Sequence, residues 1–483
     1  MNGSLNVLFL AAEAEPFVKV GGLGDVAGSL PRYLRQLSDE LSGGAAPDVR
    51  VVLPFHAVLK TGRHGLRPVL SFPLQRQDGE TRVQVFSASV DGVPYYLLDG
   101  GPIAAGGSVY SSDPALDAEK YTFFSLAALE LARRMDWRPN IVHANDWHAA
   151  LACYALLLRR RRGEYPGVAS VLTLHNLPFM GPDLSEMLQL HGLAGAQTGL
   201  PEWASSRPLP LGLWAADAIV AVSPSYAREI QTREFGCGLD NYLRARRESL
   251  NGILNGIDYD SYNPALDPAL ASNFGIPTLD RRVQNKSALQ LRLDLPRGPE
   301  AALLGVVSRL DPQKGIDLLR PALRKLRELS WQLVVLGTGT PELEKSVRAL
   351  QAEFPDRVRA EIKYDAGLAR QIYAGADLFL MPSRYEPCGL SQMIALRYGC
   401  VPIVSAVGGL QDTIYDDETG LVIKPPTATR LATAVKHAIA IRADSTRWIA
   451  MQKAGMSQDF SWRISAQRYL ELYRRLVAQA VPS

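Results

Sequence analysis

The sequence predicts two Rossmann-like α/β domains facing each other across a deep cleft, and three observations carry that expectation. Short, almost wholly apolar runs at 5–11, 141–144, 169–174, 302–307 and 401–404 read as strands buried on both faces. Helical periodicity follows these runs, so strand and helix alternate in both halves, the signature of parallel sheets. At 483 residues the chain is longer than one hydrophobic core ordinarily supports.

Composition narrows the function classes. With 47% hydrophobic and 21% charged residues, the chain is composed like an ordinary globular protein. A net charge of +3 is too balanced to argue for nucleic acid or a membrane surface as partner. The four cysteines (Cys153, Cys237, Cys388, Cys400) are scattered, with no C-x-x-C pair. That fits reduced thiols in a cytoplasmic protein better than a disulfide framework or a zinc site. Residues 5–12 are apolar, but no Lys or Arg precedes them and Asn6 interrupts them, so they read as a first strand, not a leader. No stretch approaches the roughly 20 apolar residues of a membrane span.

In the first half, strand 5–11 leads into Glu13-Ala-Glu-Pro-Phe-Val-Lys-Val-Gly-Gly-Leu-Gly-Asp25 and a helix expected to reach about residue 41. Gly21, Gly22 and Gly24 would let the backbone approach a ligand closely. A helix starting near Asp25 would offer its positive end to a phosphate, and Lys19 would add a full charge. The pattern is not G-x-G-x-x-G, and a plain structural turn fits it as well as a phosphate cradle. Further strands are expected at 49–53, 83–86 and 95–98, with a helix over 118–134. In Ile141-Val-His-Ala-Asn-Asp-Trp-His148 a strand runs into a helix, so Asp146 and Trp147 fall at a strand's carboxyl end, where open α/β sheets bind ligands. His143 lies on the strand and faces inward; without a third ligand in the motif, this is not read as a metal site. Thr173-Leu-His-Asn176 ends the next strand and brings His175 to the same kind of edge.

The Gly- and Asn-rich stretch 251–264 reads as the crossing between a domain at 1–250 and another at 265–460, with 461–483 returning as a final helix to the first. It contains Asn255, and Asp258-Tyr-Asp260, whose D-x-D spacing reads as turn chemistry instead of a cation site. After strand 302–307, Ser308-Arg-Leu-Asp-Pro-Gln-Lys-Gly315 sets Arg309 and Lys314 in one loop, with a helix expected near Gly315. Two cations beside a helix start make an anion site. The stretch 376–381 runs into Pro382-Ser-Arg-Tyr-Glu-Pro-Cys-Gly-Leu390, where Glu386 is the only acid. Cys388, Gly389 and Leu390 would there offer N–H groups that a helix start leaves unpaired. A carboxylate for a sugar and N–H groups for an anion suit sugar-nucleotide chemistry; capping a helix is the plainer use of Glu386.

Taken together and in this order, Lys19-Val-Gly-Gly-Leu-Gly-Asp25, His143-Ala-Asn-Asp-Trp-His148, Thr173-Leu-His-Asn176, Asn255-Gly-Ile-Asp258, Ser308–Gly315, Pro382–Leu390 and Gly408-Gly-Leu-Gln-Asp-Thr413 closely resemble the bacterial glycogen synthases and plant starch synthases. The resemblance spans nearly the whole chain and implies the GT-B fold. It implies transfer of glucose from ADP-glucose to the non-reducing end of an α-1,4-glucan or maltooligosaccharide. ADP leaves, configuration is retained, and no metal or other cofactor is expected. Position by position, it implies that Arg309 and Lys314 hold the diphosphate and that Glu386 faces the donor glucose, with the N–H groups of Cys388, Gly389 and Leu390 beside it. It sets His175 beneath the anomeric carbon, Asp146 and Trp147 along the sugar pocket, and Asn255 near the sugar. Lys19, Gly21 and Gly22 would approach diphosphate and acceptor with Asp25 nearby, and Tyr364 would stack on adenine. One departure stands out: eight positions after Glu386, where many related GT-B transferases carry a second acid, this chain has Ile394. That removes one candidate nucleophile and favours a front-face path. A phosphorylase-type enzyme would need a pyridoxal phosphate lysine, and Lys314 is better explained by a diphosphate. A silent binding protein would be expected to have lost Glu386, Lys314 or His175.

Overall fold

A computed structural model describes residues 5–37, 45–59, 64–105, 107–193 and 197–480. The chain divides into two units, Met1–Gly256 with Trp462–Ser483, and Ile257–Ser461. The first division falls inside the stretch 251–264.

Unit 1 is built on nine strands: β1 (Asn6–Leu10), β2 (Asp48–Pro54), β3 (Arg67–Arg76), β4 (Gly79–Val90), β5 (Val93–Asp99), β6 (Ile141–Asn145), β7 (Ala169–Leu174), β8 (Ala218–Ala221) and β9 (Leu250–Gly252). Their order is β3-β4-β5-β2-β1-β6-β7-β8-β9. The pairs β3–β4 and β4–β5 are antiparallel. Elsewhere the neighbours are parallel, with Val7 opposite both Val49 and Ile141. From β1 the chain moves first to one side and later, at β6, to the other. The carboxyl ends of β1 and β6 therefore flank a topological switch point, where a crevice opens.

Two expectations need correction here. The strand expected at 83–86 is one arm of a long hairpin, and β3 was not foreseen. It lies at the sheet's edge, the one setting in which a strand accommodates Pro68 and Pro73 without breaking a ladder. The helix after β1 spans Gly22–Arg35, starting inside the glycine run and ending well short of residue 41. Its end is closed by the Gln36 N–H, which donates to Arg32 and Tyr33 carbonyls; most of the remaining positions of the expected helix lie outside the described residues. The final helix, Trp462–Ala480, packs on Gly22–Arg35 within unit 1 and buries Trp462, Tyr469 and Tyr473.

Unit 2 has six parallel strands: β10 (Ala302–Val307), β11 (Trp331–Leu336), β12 (Val358–Glu361), β13 (Leu378–Met381), β14 (Val401–Ser405) and β15 (Leu421–Ile423). Their order, β12-β11-β10-β13-β14-β15, sets a second switch point between β10 and β13. The loop after β10 does not enter a helix at Gly315 as expected. Two 3₁₀ turns, Pro312–Lys314 and Ile316–Leu318, flank Gly315, and the α-helix begins at Leu319. Gly315 takes φ +66°, and a Cβ there would lie 2.1 Å from the Pro382 carbonyl oxygen. This contact between the two loops of the switch point leaves no room for a continuous helix. Among the described residues no helix is long and apolar enough to cross a membrane.

Candidate active site

At the switch point of unit 1 the buried carboxylate of Glu13 accepts from the backbone N–H groups of Val20 and Gly21 and, at 2.9 Å, from the Tyr110 hydroxyl. These bonds fold the glycine loop back over the end of β1. Lys19 is paired with Glu15 at 3.2 Å and with Asp25. Burial raises the Asp25 carboxyl, opposed by the Lys19 ammonium. A Cβ on Gly21 would meet Glu13 Oε1 at 3.5 Å, whereas Gly22 has open space around it.

Across the crevice, Asp146 takes φ +54°, a left-handed conformation that Asp tolerates better than most residues. Its Oδ1 accepts from the His175 N–H at 2.8 Å and the Asn176 N–H at 3.4 Å. Burial pushes the carboxyl up to about 7 although both N–H groups pull it down. The His175 Nε2 lies 3.0 Å from Asn145 Oδ1, and the Asn145 amide donates to the Leu10 carbonyl at 3.0 Å. Burial lowers His175 to about 3, so the imidazole is neutral at physiological pH. Asn145 and Asp146 thus bind the ends of β1, β6 and β7 together. Trp147 joins an aromatic group with Tyr121 and His148, ring centroids 4.9 and 3.9 Å away. His143 is occupied by Tyr473 and Thr173 hydroxyls at 2.6 and 2.7 Å, in keeping with an inward-facing structural histidine. Asn255, at the end of unit 1, is buried, and its Oδ1 has no hydrogen-bond partner among the described residues.

In unit 2 the two switch-point loops meet in one ion pair. Lys314 Nζ donates to Glu386 Oε2 at 2.7 Å, and Ser383 Oγ donates to the same oxygen at 3.1 Å. Glu386 is buried and does not cap a helix; the helix Ser391–Arg397 has Leu390 as its N-cap, without a side-chain bond. Gln313 fastens the loops further: its amide donates to the Tyr385 carbonyl at 2.8 Å, and its carbonyl accepts from the Arg384 N–H at 2.8 Å. The Glu386–Leu390 turn is held from the other side by Gly408 and Gly409. A Cβ on Gly408 would lie 1.9 Å from the Glu386 carbonyl oxygen, and one on Gly409 2.3 Å from that of Cys388. Gly389 takes φ +72°, and Gln392 donates to its carbonyl at 2.9 Å. Arg309 sits in the same loop as Lys314 but turns to Asp311 at 3.2 Å and stays largely exposed. Tyr364, after the edge strand β12, is 85% exposed.

Most of the expected residues therefore gather at two switch points, one per unit, whereas Asn255 follows the edge strand β9. Lys314, Glu386, Cys388, Gly389 and Leu390 assemble in unit 2, with Arg309 alongside and Tyr364 two strands away. Asp146, Trp147 and His175 assemble in unit 1, and Lys19, Gly21, Gly22 and Asp25 form the neighbouring loop. Glu13, Asn145, Tyr110 and Ser383 belong to these assemblies but were not singled out from the sequence. Glu13 leaves one trace there, as an acid two residues past a buried strand.

Residues 6–245 match the family described as starch synthase catalytic domain, and residues 291–454 match glycosyl transferases group 1. Glycogen synthases from Anaeromyxobacter sp. and Lactobacillus acidophilus are 41% and 39% identical to this chain, covering 98% of it and 100% of their own lengths. The chain belongs to the glycogen synthase and starch synthase family. Another family structure, the catalytic domain of starch synthase IV from Arabidopsis thaliana bound to ADP and acarbose, superposes with TM-score 0.88 at 32% identity. It covers 99% of this chain and 100% of that one. A sucrose-phosphate synthase from Thermosynechococcus elongatus shares the fold alone, with TM-score 0.63 at 20% identity over 98% of this chain and 100% of its own. Family membership makes this chain a glycosyltransferase of the GT-B fold.

Proposed function

We propose that this chain transfers glucose from ADP-glucose to the non-reducing end of an α-1,4-glucan in the cytoplasm, releasing ADP with retention of configuration. The observation that carries the reading is the Lys314–Glu386 pair at the β10/β13 switch point. An ammonium and a carboxylate that neutralise each other without ligand are the two charges a nucleotide sugar needs. The diphosphate takes the cation and a glucosyl hydroxyl takes the carboxylate. Lys314, with Arg309 beside it, offsets charge developing on the departing ADP, and Glu386 orients the sugar as its anomeric carbon becomes electron-poor. The N–H groups of Cys388, Gly389 and Leu390 serve the phosphate and sugar oxygens, Tyr364 the adenine face, and Asn255 a sugar hydroxyl.

In unit 1, His175 is neutral and so adds no positive charge beside an oxocarbenium-like centre. Asp146 and Trp147 line the sugar side; Lys19, Gly21 and Gly22 serve diphosphate and acceptor, with Asp25 setting the position of Lys19. The reaction proceeds without a divalent cation. Asp258, the first acid of the D-x-D spacing, accepts from the Asp260 N–H at 3.1 Å and the Ser261 hydroxyl at 2.8 Å, which is turn chemistry. With Ile394 in place of a second acid eight positions after Glu386, the acceptor's proton goes to the departing phosphate oxygen.

The test is transfer of labelled glucose from ADP-glucose to maltoheptaose, with UDP-glucose as competitor and with EDTA in parallel. Product formation that EDTA leaves intact is expected, with ADP-glucose the preferred donor. Absence of transfer sinks the reading, and restoration of a chelated enzyme by Mg²⁺ or Mn²⁺ sinks its metal-free part.

A further inference from the structure

The 2.7 Å bond from Lys314 to Glu386 does more than neutralise two charges: it ties the β10 loop to the β13 loop. A donor that takes both charges removes that tie, at the moment when both groups have to be held still. The loops therefore need a second tie that a donor leaves alone.

Arg384 supplies one. It stands two residues before Glu386, and its guanidinium crosses to the β10 loop with three hydrogen bonds. Nη1 donates to the Pro312 carbonyl and to Asp317 Oδ1, both at 2.8 Å, and Nη2 donates to Asp317 Oδ2 at 2.7 Å. Pro312 opens the first 3₁₀ turn and Asp317 lies in the second, so one planar group clasps both turns around Gly315. Lys314 sits between the clasped residues, and its place follows from how those turns are held. The Arg384 N–H joins the same loop through the Gln313 carbonyl at 2.8 Å. The Arg384 guanidinium also holds the Asp317 carboxyl below the usual carboxylate range. Exposed ion pairs ordinarily contribute little, and these side chains are 42% and 46% exposed. The geometry sets this pair apart. Its fork is bidentate on the carboxylate and adds a third bond to a backbone carbonyl, which a lysine does not reproduce. All three bonds bypass Lys314 and Glu386, so occupying those two charges leaves the clasp closed.

We propose that Arg384 and Asp317 are positioning residues, whose clasp keeps Lys314 and Glu386 in register once the donor has parted them. The proposal rests on the glucosyl-transfer reading above. Its first test is steady-state transfer from ADP-glucose to maltoheptaose by the full chain carrying Arg384→Ala, Arg384→Lys, Asp317→Ala or both alanines. In Arg384→Ala, kcat should fall roughly ten- to hundredfold, as for a small misplacement of reacting groups, while donor KM changes far less. Arg384→Lys should recover only a small part of the loss. The double variant should be no worse than Arg384→Ala, because either change opens the same clasp. Melting temperatures should stay within about two degrees, as expected for an exposed pair. A loss in kcat below about tenfold, or losses that multiply in the double variant, overturns the clasp. A loss matched by a large drop in melting temperature overturns it too, since a merely structural role would produce that. Amide hydrogen exchange gives a readout that needs no turnover. With ADP bound, exchange over residues 312–318 and 382–388 should rise roughly three- to tenfold in Arg384→Ala. Without ADP it should rise less, because the Lys314–Glu386 bond still ties the loops; an equal rise in both conditions overturns the proposal. An unmodified protein that transfers no glucose, while its Arg384→Ala variant shows this exchange pattern, would overturn the transfer reading and leave the clasp standing.

Discussion

Both units put acids at the carboxyl ends of parallel strands, yet they use them differently. In unit 1, Glu13 and Asp146 direct their oxygens mainly at backbone N–H groups, Glu13 within its own loop and Asp146 in the loop after β7. In unit 2, Glu386 faces a side-chain cation and a hydroxyl. A carboxylate bonded to backbone is part of the scaffold, because releasing it leaves buried N–H groups unpaired. A carboxylate bonded to a lysine can exchange partners, because an incoming anion can take the lysine. The comparison teaches that an acid at a sheet edge is read from what it holds, not from its position.

The largest effect that would break this contrast lies in unit 2. Glu386→Ala should lower kcat by roughly 10³ with little change in donor KM, since the carboxylate acts as charge develops. Near-normal kcat in a folded variant would return Glu386 to the scaffold class. Lys314→Ala and Arg309→Ala should each cost roughly 10²–10³ in rate; a loss below about tenfold for both would make the β10 loop an ordinary surface. Tyr364→Ala should weaken ADP by roughly 5- to 100-fold, the range for one stacked base, with no change in stability because the ring is so exposed. Unchanged ADP affinity by titration would put the base elsewhere.

The smallest effect sharpens the unit 1 side. Burial lifts the Asp146 carboxyl from its ordinary 3.8 to about 7, so the folded protein keeps a proton that the unfolded chain has lost. The contribution of that group is full below about pH 4 and is lost as pH rises to about 7. Asp146→Asn, whose amide oxygen accepts the same two N–H bonds, removes the slope. Melting temperatures of the variant minus those of the unmodified protein should therefore climb by a few degrees between pH 4 and 7. A flat difference would mean the carboxyl ionises in its usual range.

The buried strands and the residues at their carboxyl ends were legible because each is a local pattern: an apolar run, then polar or glycine residues at the turn. Partners distant in sequence were not. Lys314 and Glu386 could each be singled out, but their bond joins loops after different strands and depends on strand order. Glu13 was passed over because its meaning lies in the Val20 and Gly21 N–H groups and in Tyr110, which only the folded loop brings to it. The helix expected at Gly315 failed for a similar reason: the Pro382 carbonyl that crowds that position belongs to the other loop. In β3 the two prolines hid a strand whose edge position excuses them.

The final helix carries one more consequence, for the order in which the protein is made. Tyr473 closes a hydrogen bond to His143 in the middle of the unit 1 sheet, and Trp462, Tyr469 and Tyr473 are buried in that unit. Unit 1 is therefore assembled from segments on both sides of unit 2, with all of unit 2 translated in between. At ribosomal speeds that interval of about two hundred residues lasts roughly ten to forty seconds. Throughout it the nascent first unit exposes the apolar surface that the last helix will cover, while unit 2, contiguous in sequence, has everything it needs to finish first.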